Sequence, residues 1–497
     1  MSQDTEHHNK SQENMNDIIR SRREKLDALL AAGENPFEVF SYDKTHSSKQ
    51  VAEHFDELEG KQARLAGRLI SKRVMGKASF AHVLDNEGTI QIYAKRDVLG
   101  EEAYARFKKL DIGDIIGFSG EVFKTHMGEI SIVAESITLL AKSLLPLPEK
   151  FHGLKDQDLR YRQRHVDLMV NPEVRQTFIT RSKVISGIRQ FMDARGFLEV
   201  DTPVLHSHAT NAAAKPFKTH HNTLDIDMFL RVETELYLKR LIIGGFERVY
   251  EIGRIFRNEG MDTRHNPEFT SIEAYQAYTD YKGMMELAES LIRHIADNIA
   301  GQRTVEYQGI ELDFQSSYAR MTMVESVKKY SGVDFDEFEC DDKAAKSVAR
   351  QHHLEVNEDS TWGSLLNEFF EAYVEEKLVQ PTFIYDYPIE ISPLAKRKPD
   401  KMHITERFEL FVVGRELANA FSELNDPLDQ RERFIQQAKL KYGDEDYTID
   451  EDFISAMEYG MPPAGGIGIG VDRLIMIFTD APSIRDVLLF PTMKPKD

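Results

Sequence analysis

The sequence has very little cysteine. Cys340 is the only one in 497 residues, so an intramolecular disulfide is impossible and a zinc site built from several thiolates is excluded. A chain without disulfides suits a reducing compartment. It contains no apolar run of about 18 residues, the length that crosses a bilayer. The N-terminal segment MSQDTEHHNKSQENMND lacks the apolar core of a secretory signal. We therefore expect a cytoplasmic protein that does not contact a membrane.

An excess of positive charge is also missing, since the formal net charge is −20. Taken alone, this value argues against binding to nucleic acid, which depends on Lys and Arg neutralising phosphates. Net charge says little about local fields, however, so a local basic face remains possible. Hydrophobic residues make up 41% and charged residues 29% of the chain, which is typical of globular proteins. The length indicates two to four domains.

The organisation along the chain predicts an α+β protein. Residues 1–16 are polar and are expected to be disordered, and a helical extension covers 17–60, with a helix from 18 to 32. Residues 61–143 contain five short segments rich in β-branched and aromatic residues, with a helical insert between the third and fourth. This pattern predicts an OB-fold β-barrel. A proline-containing linker at 144–170 precedes a region at 171–497 whose closely spaced strands predict an antiparallel sheet flanked by helices.

The stretch RIFRNEGMDTRHNPEF at 254–269 concentrates cations beside aromatic residues. On a strand of period 2, Arg257 and Glu259 share a face. Arg257 offers a bidentate fork for phosphate, Glu259 can accept a hydrogen bond from an exocyclic amine, and His265 is a second candidate cation. Phe269 can stack on a base. Together these groups describe a nucleotide site, and the alternative interpretation is a salt-bridged surface hairpin.

The stretch GGIGIGVDRLIM at 465–476 places glycines at alternate positions before a helix. Such a strand can lie very close to a ligand or to another backbone. Arg473 stands near the start of the helix, where a cation gains nothing from the helix dipole, and this position suggests an anionic partner. The chain contains neither a P-loop nor a Rossmann fingerprint, so a nucleotide site here would belong to another class.

Five glutamates lie on segments that resemble strands. A pocket lined by several carboxylates needs cations to offset them, and Mg²⁺ bound to polyphosphate or an ammonium group of a substrate would serve. Each glutamate taken singly could instead be a solvated surface residue. The five are Glu235, Glu273, Glu409, Glu416 and Glu423.

In combination, these stretches resemble a known family. FRNEG with RHNPEF resembles motif 2 of class II aminoacyl-tRNA synthetases, GIGIGVDR resembles motif 3, and FLEVDTP, ending at Pro203, looks like the end of motif 1, the dimer motif. KASFAHVLDNEGTIQIY, PLPEKFHGL, ELYLKRLIIGGFERVYEIGR, QPTFIYDYP, SPLAK and FSELNDP resemble bacterial class II lysyl-tRNA synthetases. The resemblance covers about residues 16–494. It implies an OB-fold anticodon-binding domain and an antiparallel-sheet catalytic domain in a homodimer.

The resemblance also implies roles for individual residues toward ATP. Arg257 would hold the α-phosphate and stabilise charge at the reacting phosphorus. Glu259 would read the adenine amine, and His265 would reach toward the terminal phosphates. Phe269 and Arg473 would enclose the adenine ring between them. Arg257 and Arg473 are accordingly the predicted catalytic residues.

Further roles follow for the metal, the amino acid and the tRNA. Glu409 and Glu416 would hold Mg²⁺. The residues that would line a lysine pocket are Glu235, Glu273, Tyr275, Asn419, Phe421 and Glu423. The residues that match positions contacting a U-rich anticodon, as expected for tRNA(Lys), are Arg73, Phe80, Gln91 and Glu129. Phe80 would stack on a base, a contact worth about 1–3 kcal/mol in such sites.

The sequence departs from the family pattern on the amino-acid side. Thr210 and Asn211 stand where the family has two glycines in a loop near the α-amino group, and their side chains would crowd it. Glu233 replaces a small residue two positions before Glu235, and on a strand both would point to the same face. Ala418 and Ala420 flank Asn419 where many relatives have glycine.

Three functions follow from this pattern. The expected one is ATP-dependent activation of lysine and its transfer to the 3′-terminal adenosine of tRNA(Lys). The second is a paralogue that activates another lysine-like amino acid, such as β-lysine or ornithine, because of Thr210, Asn211 and Glu233. The third is a non-catalytic tRNA-binding module, for which the loss of the motif 2 and motif 3 arginines would have been evidence.

Overall fold

The computed structural model describes residues 2–148, 154, 156–207, 214–301, 303–442 and 449–495. The chain divides into two compact units, Met1–Lys155 and Asp156–Asp497. None of the helices over these described residues combines the length and apolar character needed to cross a membrane.

The N-terminal unit is a closed five-stranded barrel preceded by helices. The first helices are α1 (Ser2–Ala31), α2 (Ser48–Glu53) and α3 (Phe55–Leu58). The strands are β1 (Gln62–Met75), β2 (Ala78–Leu84), β3 (Thr89–Lys95), β4 (Ile115–Lys124) and β5 (Ile130–Ala141), and β3 is joined to β4 by α4 (Arg96–Leu99) and α5 (Glu101–Lys109). The strands close in the order β1-β2-β3-β5-β4. This arrangement confirms the predicted OB-fold barrel with its helical insert.

The N-terminal segment differs from the expectation of disorder over residues 1–16, because α1 begins at Ser2. No glycine or proline interrupts residues 2–31. Extending an existing helix requires no new nucleation. The helix predicted over 18–32 is therefore the C-terminal half of a longer helix, which is followed by Gly33 with φ of 73°, a common helix end.

The C-terminal unit has many more elements. Those before its first long strand are α6 (Gln157–Arg162), α7 (Arg164–Val170), α8 (Pro172–Asp193), β6 (Leu198–Glu199), β7 (Leu205–His206), β8 (Lys218–His221), β9 (Ile226–Leu230) and α9 (Glu235–Ile243). Next come β10 (Arg248–Phe256), β11 (Glu268–Ala277), α10 (Tyr281–Ile295), β12 (Thr304–Tyr307), β13 (Ile310–Asp313), β14 (Ala319–Thr322), α11 (Met323–Ser331), α12 (Asp342–Gln351) and α13 (Trp362–Tyr373). The last are β15 (Thr382–Pro388), β16 (Ile404–Phe411), β17 (Glu416–Ser422), α14 (Pro427–Tyr442), α15 (Glu451–Glu458), β18 (Ala464–Gly470) and α16 (Val471–Phe478).

An eight-stranded sheet forms the centre of this unit, in the order β14-β15-β16-β17-β18-β11-β10-β6. The six strands from β15 to β10 pair antiparallel, as predicted. The two edge pairs, β14 with β15 and β6 with β10, are parallel. Long connections separate the partners in both edge pairs, and parallel pairing requires such connections. The sheet as a whole is therefore mixed.

Two segments fold differently from their prediction. The linker expected at 144–170 contains the unit boundary, but its second half forms α6 and α7. There Arg164 is buried and lies 2.5 Å from Asp167 while donating to the carbonyl of Leu489. Glu235 was expected on a strand, but β9 ends at Leu230 and Glu235 begins α9. Leu238 and Ile242, four residues apart, are buried on one face of this helix.

The barrel depends on a close approach of two strands at Gly120. A Cβ atom at this position would lie 1.8 Å from the carbonyl oxygen of Val133 on β5. We expect Gly120→Ala to destabilise the barrel by roughly 1–3 kcal/mol, because the strands must separate to admit the methyl group. Thermal unfolding followed by circular dichroism tests this, with the exposed neighbour Glu121→Ala as control. Equal melting temperatures for the two variants would contradict the prediction.

Candidate active site

The glycines of β18 leave one face of the central sheet open. Gly466 pairs with Tyr275 on β11 and with Phe421 on β17. A Cβ atom on Gly466 would lie 2.0 Å from Glu423 Oε1 and 2.5 Å from the Tyr275 ring. The alternate residues Ile467 and Ile469 are buried in the core on the other face. Alternating glycine and isoleucine therefore produce a strand with a packed side and a bare side.

A cavity of about 420 Å³ lies over this bare side. It brings together most of the predicted site residues: Glu233, Glu235, Arg257, Glu259, His265, Phe269, Glu273, Tyr275, Glu416, Asn419, Phe421 and Arg473. Glu409 and Glu423 are not part of its wall. The Oε1 atom of Glu423 lies on the same side of the sheet as the cavity, beside Gly466, which lines it.

Three of the predicted nucleotide-binding residues, Arg257, Glu259 and His265, lie on the loop between β10 and β11. β10 ends at Phe256, so the expectation that Arg257 and Glu259 share a strand face is wrong. The backbone N–H of Arg257 donates to the carbonyl of Pro267 at 2.8 Å, which closes the loop. The Arg257 guanidinium lies 5.3 Å from the centre of the Phe269 ring. Loop closure therefore places a cation and an aromatic ring side by side in the cavity wall.

Arg473 has the anionic partner that its position suggested. It lies in the first turn of α16, and its guanidinium donates to the carbonyl of Glu416 at 2.5 Å and lies 3.5 Å from Glu416 Oε2. Asp472, which the sequence analysis missed, accepts the backbone N–H of Thr270 at 2.7 Å and lies 2.5 Å from Arg181. An acidic residue in the first turn of a helix was the available signal. Asp472 fixes α16 against β11.

A buried lysine, also missed, lies between two of the predicted glutamates. Lys239 Nζ lies 2.6 Å from Glu235 Oε1 and 2.5 Å from Glu423 Oε2. Burial alone would lower the pKa of Lys239, but the two carboxylates raise it above its usual value. The i,i+4 spacing of Glu235 and Lys239 would have shown the pair, had the segment been recognised as a helix. Both glutamates are thereby held in place, and Glu423 Oε1 has no hydrogen-bond partner among the described residues.

Two carboxyl groups in the cavity wall, those of Glu233 and Glu273, have pKa values raised above the usual value. Glu233 lies in the loop between β9 and α9 rather than on a strand, so it does not share a strand face with Glu235 as expected, but both line the cavity. Burial, followed by the charges of Glu235 and Glu273, raises the pKa of Glu233 to about 8. Burial and the charge of Glu235 raise the pKa of Glu273 to about 7, although Glu273 accepts the backbone N–H of Thr234 at 3.2 Å.

The predicted metal pair is close to the cavity but is engaged by protein groups. Glu409 on β16 accepts a hydrogen bond from the Tyr387 hydroxyl at 3.0 Å and lies 2.6 Å from Arg407. Burial raises the pKa of Glu409 to about 7, with Arg407 opposing and Glu416 adding to the shift. The described residues contain no group of three or more His, Cys, Asp or Glu side chains placed to hold a metal ion. Two carboxylates with phosphate oxygens are a common arrangement for Mg²⁺.

Four other positions depart from the family pattern: Thr210, Asn211, Ala418 and Ala420. Thr210 and Asn211 lie outside the described residues. Ala418 and Ala420 are buried in the core and point away from the cavity, since alternate residues of a strand face opposite sides. Their methyl groups therefore do not narrow the cavity. Of the departures that the structure describes, only Glu233 changes the cavity wall.

A second candidate site lies on the barrel. Phe80 stacks on Tyr93 with ring centres 4.6 Å apart, and Arg73 is the cross-strand neighbour of Phe80. Gln91 donates to Glu129 at 2.6 Å. The four predicted anticodon residues thus form two adjacent pairs on β1, β2, β3 and the turn before β5. Tyr93 was missed, although its alternation with Gln91 on β3 was the signal.

Each of the two units of the chain matches a known family. Residues 63–140 match the family described as OB-fold nucleic acid binding domain, and residues 156–494 match tRNA synthetases class II (D, K and N). The barrel, the glycine-floored cavity and the antiparallel central strands therefore define a class II aminoacyl-tRNA synthetase.

Individual relatives narrow the class. The chain is 56% identical to the lysine–tRNA ligase of Thermoanaerobacter sp. (strain X514), covering 98% of this chain and 97% of the relative. It is 57% identical to that of Moorella thermoacetica, covering 97% and 99%, and 55% identical to that of Clostridium perfringens strain SM101, covering 98% of both. The chain belongs to the lysine–tRNA ligase family. The resemblance and the enzyme class predicted from the motifs, a ligase that forms aminoacyl-tRNA, are confirmed.

The raised pKa of Glu233 predicts a pH-dependent stability defect. The folded protein retains a proton that the unfolded chain loses, so stability falls as pH rises from the ordinary value of 4.5 to about 8. The variant Glu233→Gln has no carboxyl group at this position, so this fall in stability with rising pH is absent from it. We expect it to stabilise the ligand-free protein more at pH 8 than at pH 5.5, by at least ~1 kcal/mol, since one pKa unit corresponds to about 1.4 kcal/mol.

Melting temperatures at the two pH values measure this effect. Glu458→Gln, the same change at an exposed position of α15, is the control and should show no pH-dependent difference. A stabilisation by Glu233→Gln that does not grow with pH would contradict the prediction.

Proposed function

We propose that this chain activates lysine with ATP to form lysyl-adenylate and transfers the lysyl group to the 3′-terminal adenosine of tRNA(Lys). The observation that carries the proposal is the cavity's two-ended chemistry. One end presents Arg257 beside Phe269. The other end borders the buried Glu423, whose Oε1 atom lies beside the wall residue Gly466 and has no hydrogen-bond partner among the described residues. A phosphate with an adenine fits the first end, and an ammonium group fits the second.

At the nucleotide end, each group acts by position and charge. Arg257 binds the α-phosphate and stabilises the charge that develops at phosphorus, which is the main requirement of phosphoryl transfer. Glu259 accepts a hydrogen bond from the adenine amine, and His265 reaches the terminal phosphates. Phe269 and Arg473 enclose the base between them. This suits both side chains, because an aromatic ring and a planar guanidinium can each stack on a flat base.

At the amino-acid end, the carboxylates select a diamino acid. Glu423 Oε1 and Tyr275 receive the ε-ammonium, while Lys239 holds the other oxygen of Glu423 at 2.5 Å. Glu235 and Glu273 bind the α-ammonium, and Asn419 and Phe421 complete the wall. The lysine carboxylate then attacks the α-phosphorus in line. The new P–O bond forms as the bond to pyrophosphate breaks, and positioning accounts for most of the acceleration.

Glu409 and Glu416 would hold Mg²⁺, and they fit this role. Burial raises the pKa of Glu409 to about 7, with Arg407 opposing and Glu416 adding to the shift, so a further cation beside the two carboxylates would be favourable. When bound, the ion neutralises phosphate charge and favours the departure of pyrophosphate. Glu416 also lies 3.5 Å from Arg473, so one carboxylate would connect the ion to the adenine-binding arginine.

The barrel face would read the anticodon. Phe80, already stacked on Tyr93 at 4.6 Å, offers a platform for a base, and Arg73 beside it is exposed. Gln91 and Glu129 supply donors and acceptors for base edges. We also propose that the enzyme acts as a homodimer, on the resemblance of FLEVDTP to motif 1.

Glu233 favours a second candidate function, the activation of a different lysine-like amino acid. It adds a carboxylate to the amino-acid end of the cavity. Glu423 and Tyr275, which would select the side-chain ammonium, are retained, so the alternative substrate would also be an amine-bearing acid such as β-lysine or ornithine. The non-catalytic module has no such support, because Arg257 and Arg473 both line the cavity.

Amino-acid-dependent ATP–pyrophosphate exchange tests the proposal directly. With purified protein and no tRNA, we expect exchange to be strongest with lysine among lysine, ornithine, arginine and β-lysine. Arg257→Ala should lower the rate by a factor of about 10²–10³ because a preorganised charge is lost. Exchange that is absent with lysine but present with another amine would establish the second candidate instead.

The role of Glu423 predicts a selective effect on lysine. Glu423→Gln keeps the shape of the side chain but removes its charge. We expect it to raise the KM for lysine roughly 10- to 100-fold, the range that corresponds to one hydrogen bond between charged groups. The KM for ATP should change less than about twofold. Steady-state exchange kinetics measure both, with Glu458→Gln as the matched control, and an equal rise in both constants would exclude the assigned role.

A further inference from the structure

Glu233 differs from every other carboxylate in the cavity wall. It makes no hydrogen bond or ion pair with any residue that the structure describes, and it lines the cavity. The other five carboxylates of the wall all have partners: Glu235 pairs with Lys239, Glu273 with the backbone N–H of Thr234, Glu416 with Arg473, Glu259 with the backbone N–H of Lys215, and Asp472 with Arg181. A carboxylate that is partly withdrawn from water without a partner requires either a proton or a cation.

The charged and titratable groups around Glu233 do not supply that cation. From α9 it faces Glu235 and Lys239, and from β11 it faces Glu273 and Tyr275. The loop after β10 contributes Arg257. Lys239 already lies within 2.6 Å of Glu235 and 2.5 Å of Glu423, so its charge is shared by two other carboxylates. Arg257 is the single cation left for Glu233 and Glu273 among the described groups.

We propose that Glu233 holds a proton in the free cavity and releases it when an ammonium group of the substrate binds, so that Glu233 is a proton-linked selector for that ammonium. In this step the carboxyl O–H bond breaks, the proton passes to solvent, and the carboxylate accepts a hydrogen bond from the ammonium group. The raised pKa of Glu233, about 8, has the direction that this exchange requires. The inference rests on the proposed function, because it takes lysine as the substrate.

The position of Glu233 identifies which ammonium it meets. The like charges of Glu235 and Glu273 act most strongly on Glu233, and the charge of Arg257 acts on it more strongly than the charge of Lys239 does. If Arg257 holds the reacting phosphate, then the lysine carboxylate lies at the same end of the cavity, and the α-ammonium is on the adjacent carbon. The ε-ammonium lies toward Glu423 and Lys239. Glu233 therefore responds to the α-ammonium or to an amino group displaced by one carbon, but not to the side-chain ammonium.

Calorimetric titration of the full-length protein tests the proposal. Lysine is titrated at pH 7.0 in phosphate and in Tris, and the difference in binding enthalpy between the buffers gives the number of protons released. We expect Glu233→Gln and Glu233→Ala to release at least ~0.5 proton fewer than the unaltered protein, because a group with a pKa of about 8 is mostly protonated at pH 7. Glu458→Gln should release as many protons as the unaltered protein.

A second ligand separates the α-ammonium from the rest of lysine. 6-Aminohexanoate retains the carboxylate and the side-chain ammonium but lacks the α-amino group. We expect its binding to release the same number of protons from the unaltered protein and from both Glu233 variants. A difference between the proteins with this ligand as large as the one with lysine would overturn the assignment to the α-ammonium end.

The remaining outcomes distinguish this inference from the function on which it rests. If lysine supports pyrophosphate exchange but proton release is the same with and without Glu233, the inference is wrong and the proposed function stands. If lysine neither binds nor supports exchange in the unaltered protein, the proposed function fails and the inference fails with it.

Discussion

The antiparallel register around β18 is the constraint on which the site depends. Gly466 lies between Tyr275 and Phe421, and Gly468 lies between Glu273 and Asn419. Because paired residues in adjacent strands point to the same face, the side chains of β11 and β17 stand as walls on either side of a floor without side chains. Ile467 and Ile469 anchor the same strand in the core. A slip of β18 by one residue would turn its isoleucines into the cavity and its glycines toward the core.

Charge compensation is the second determinant of this site. The amino-acid end gathers four carboxylates, Glu233, Glu235, Glu273 and Glu423, and the protein supplies Lys239 as the cation shared by two of them. Grouping like charges away from water is unfavourable unless cations or protons offset them. The carboxylates at this end of the cavity therefore outnumber the protein cations that pair with them. In the proposed function, a ligand that carries two ammonium groups supplies the missing cations, and this would favour a diamino acid over an amino acid with a neutral side chain.

Much of the architecture could be predicted from the sequence because it depends on local pattern. The five segments of residues 61–143 that are rich in β-branched and aromatic residues predicted five strands, with a helical insert between the third and fourth. The motif 2 and motif 3 stretches identified the family because each combines residues of unusual chemistry at fixed intervals. The predictions that failed were also local. The segment from Glu235 was taken for a strand, and residues 1–16 were taken for a disordered tail, since a short apolar run or a polar run does not distinguish these states.

The sequence by itself determined the fold class, the family and the set of candidate residues, because strand periodicity and motif chemistry are encoded over short distances. Only the tertiary structure decided which of those residues meet. It placed Lys239 between Glu235 and Glu423, joined Asp472 to Arg181 across 291 positions of the chain, and turned Ala418 and Ala420 away from the cavity. It also left Glu233 in the wall with no partner among the described residues. Such outcomes depend on long-range packing and on burial, and neither burial nor the neighbours of a charge can be read from local sequence.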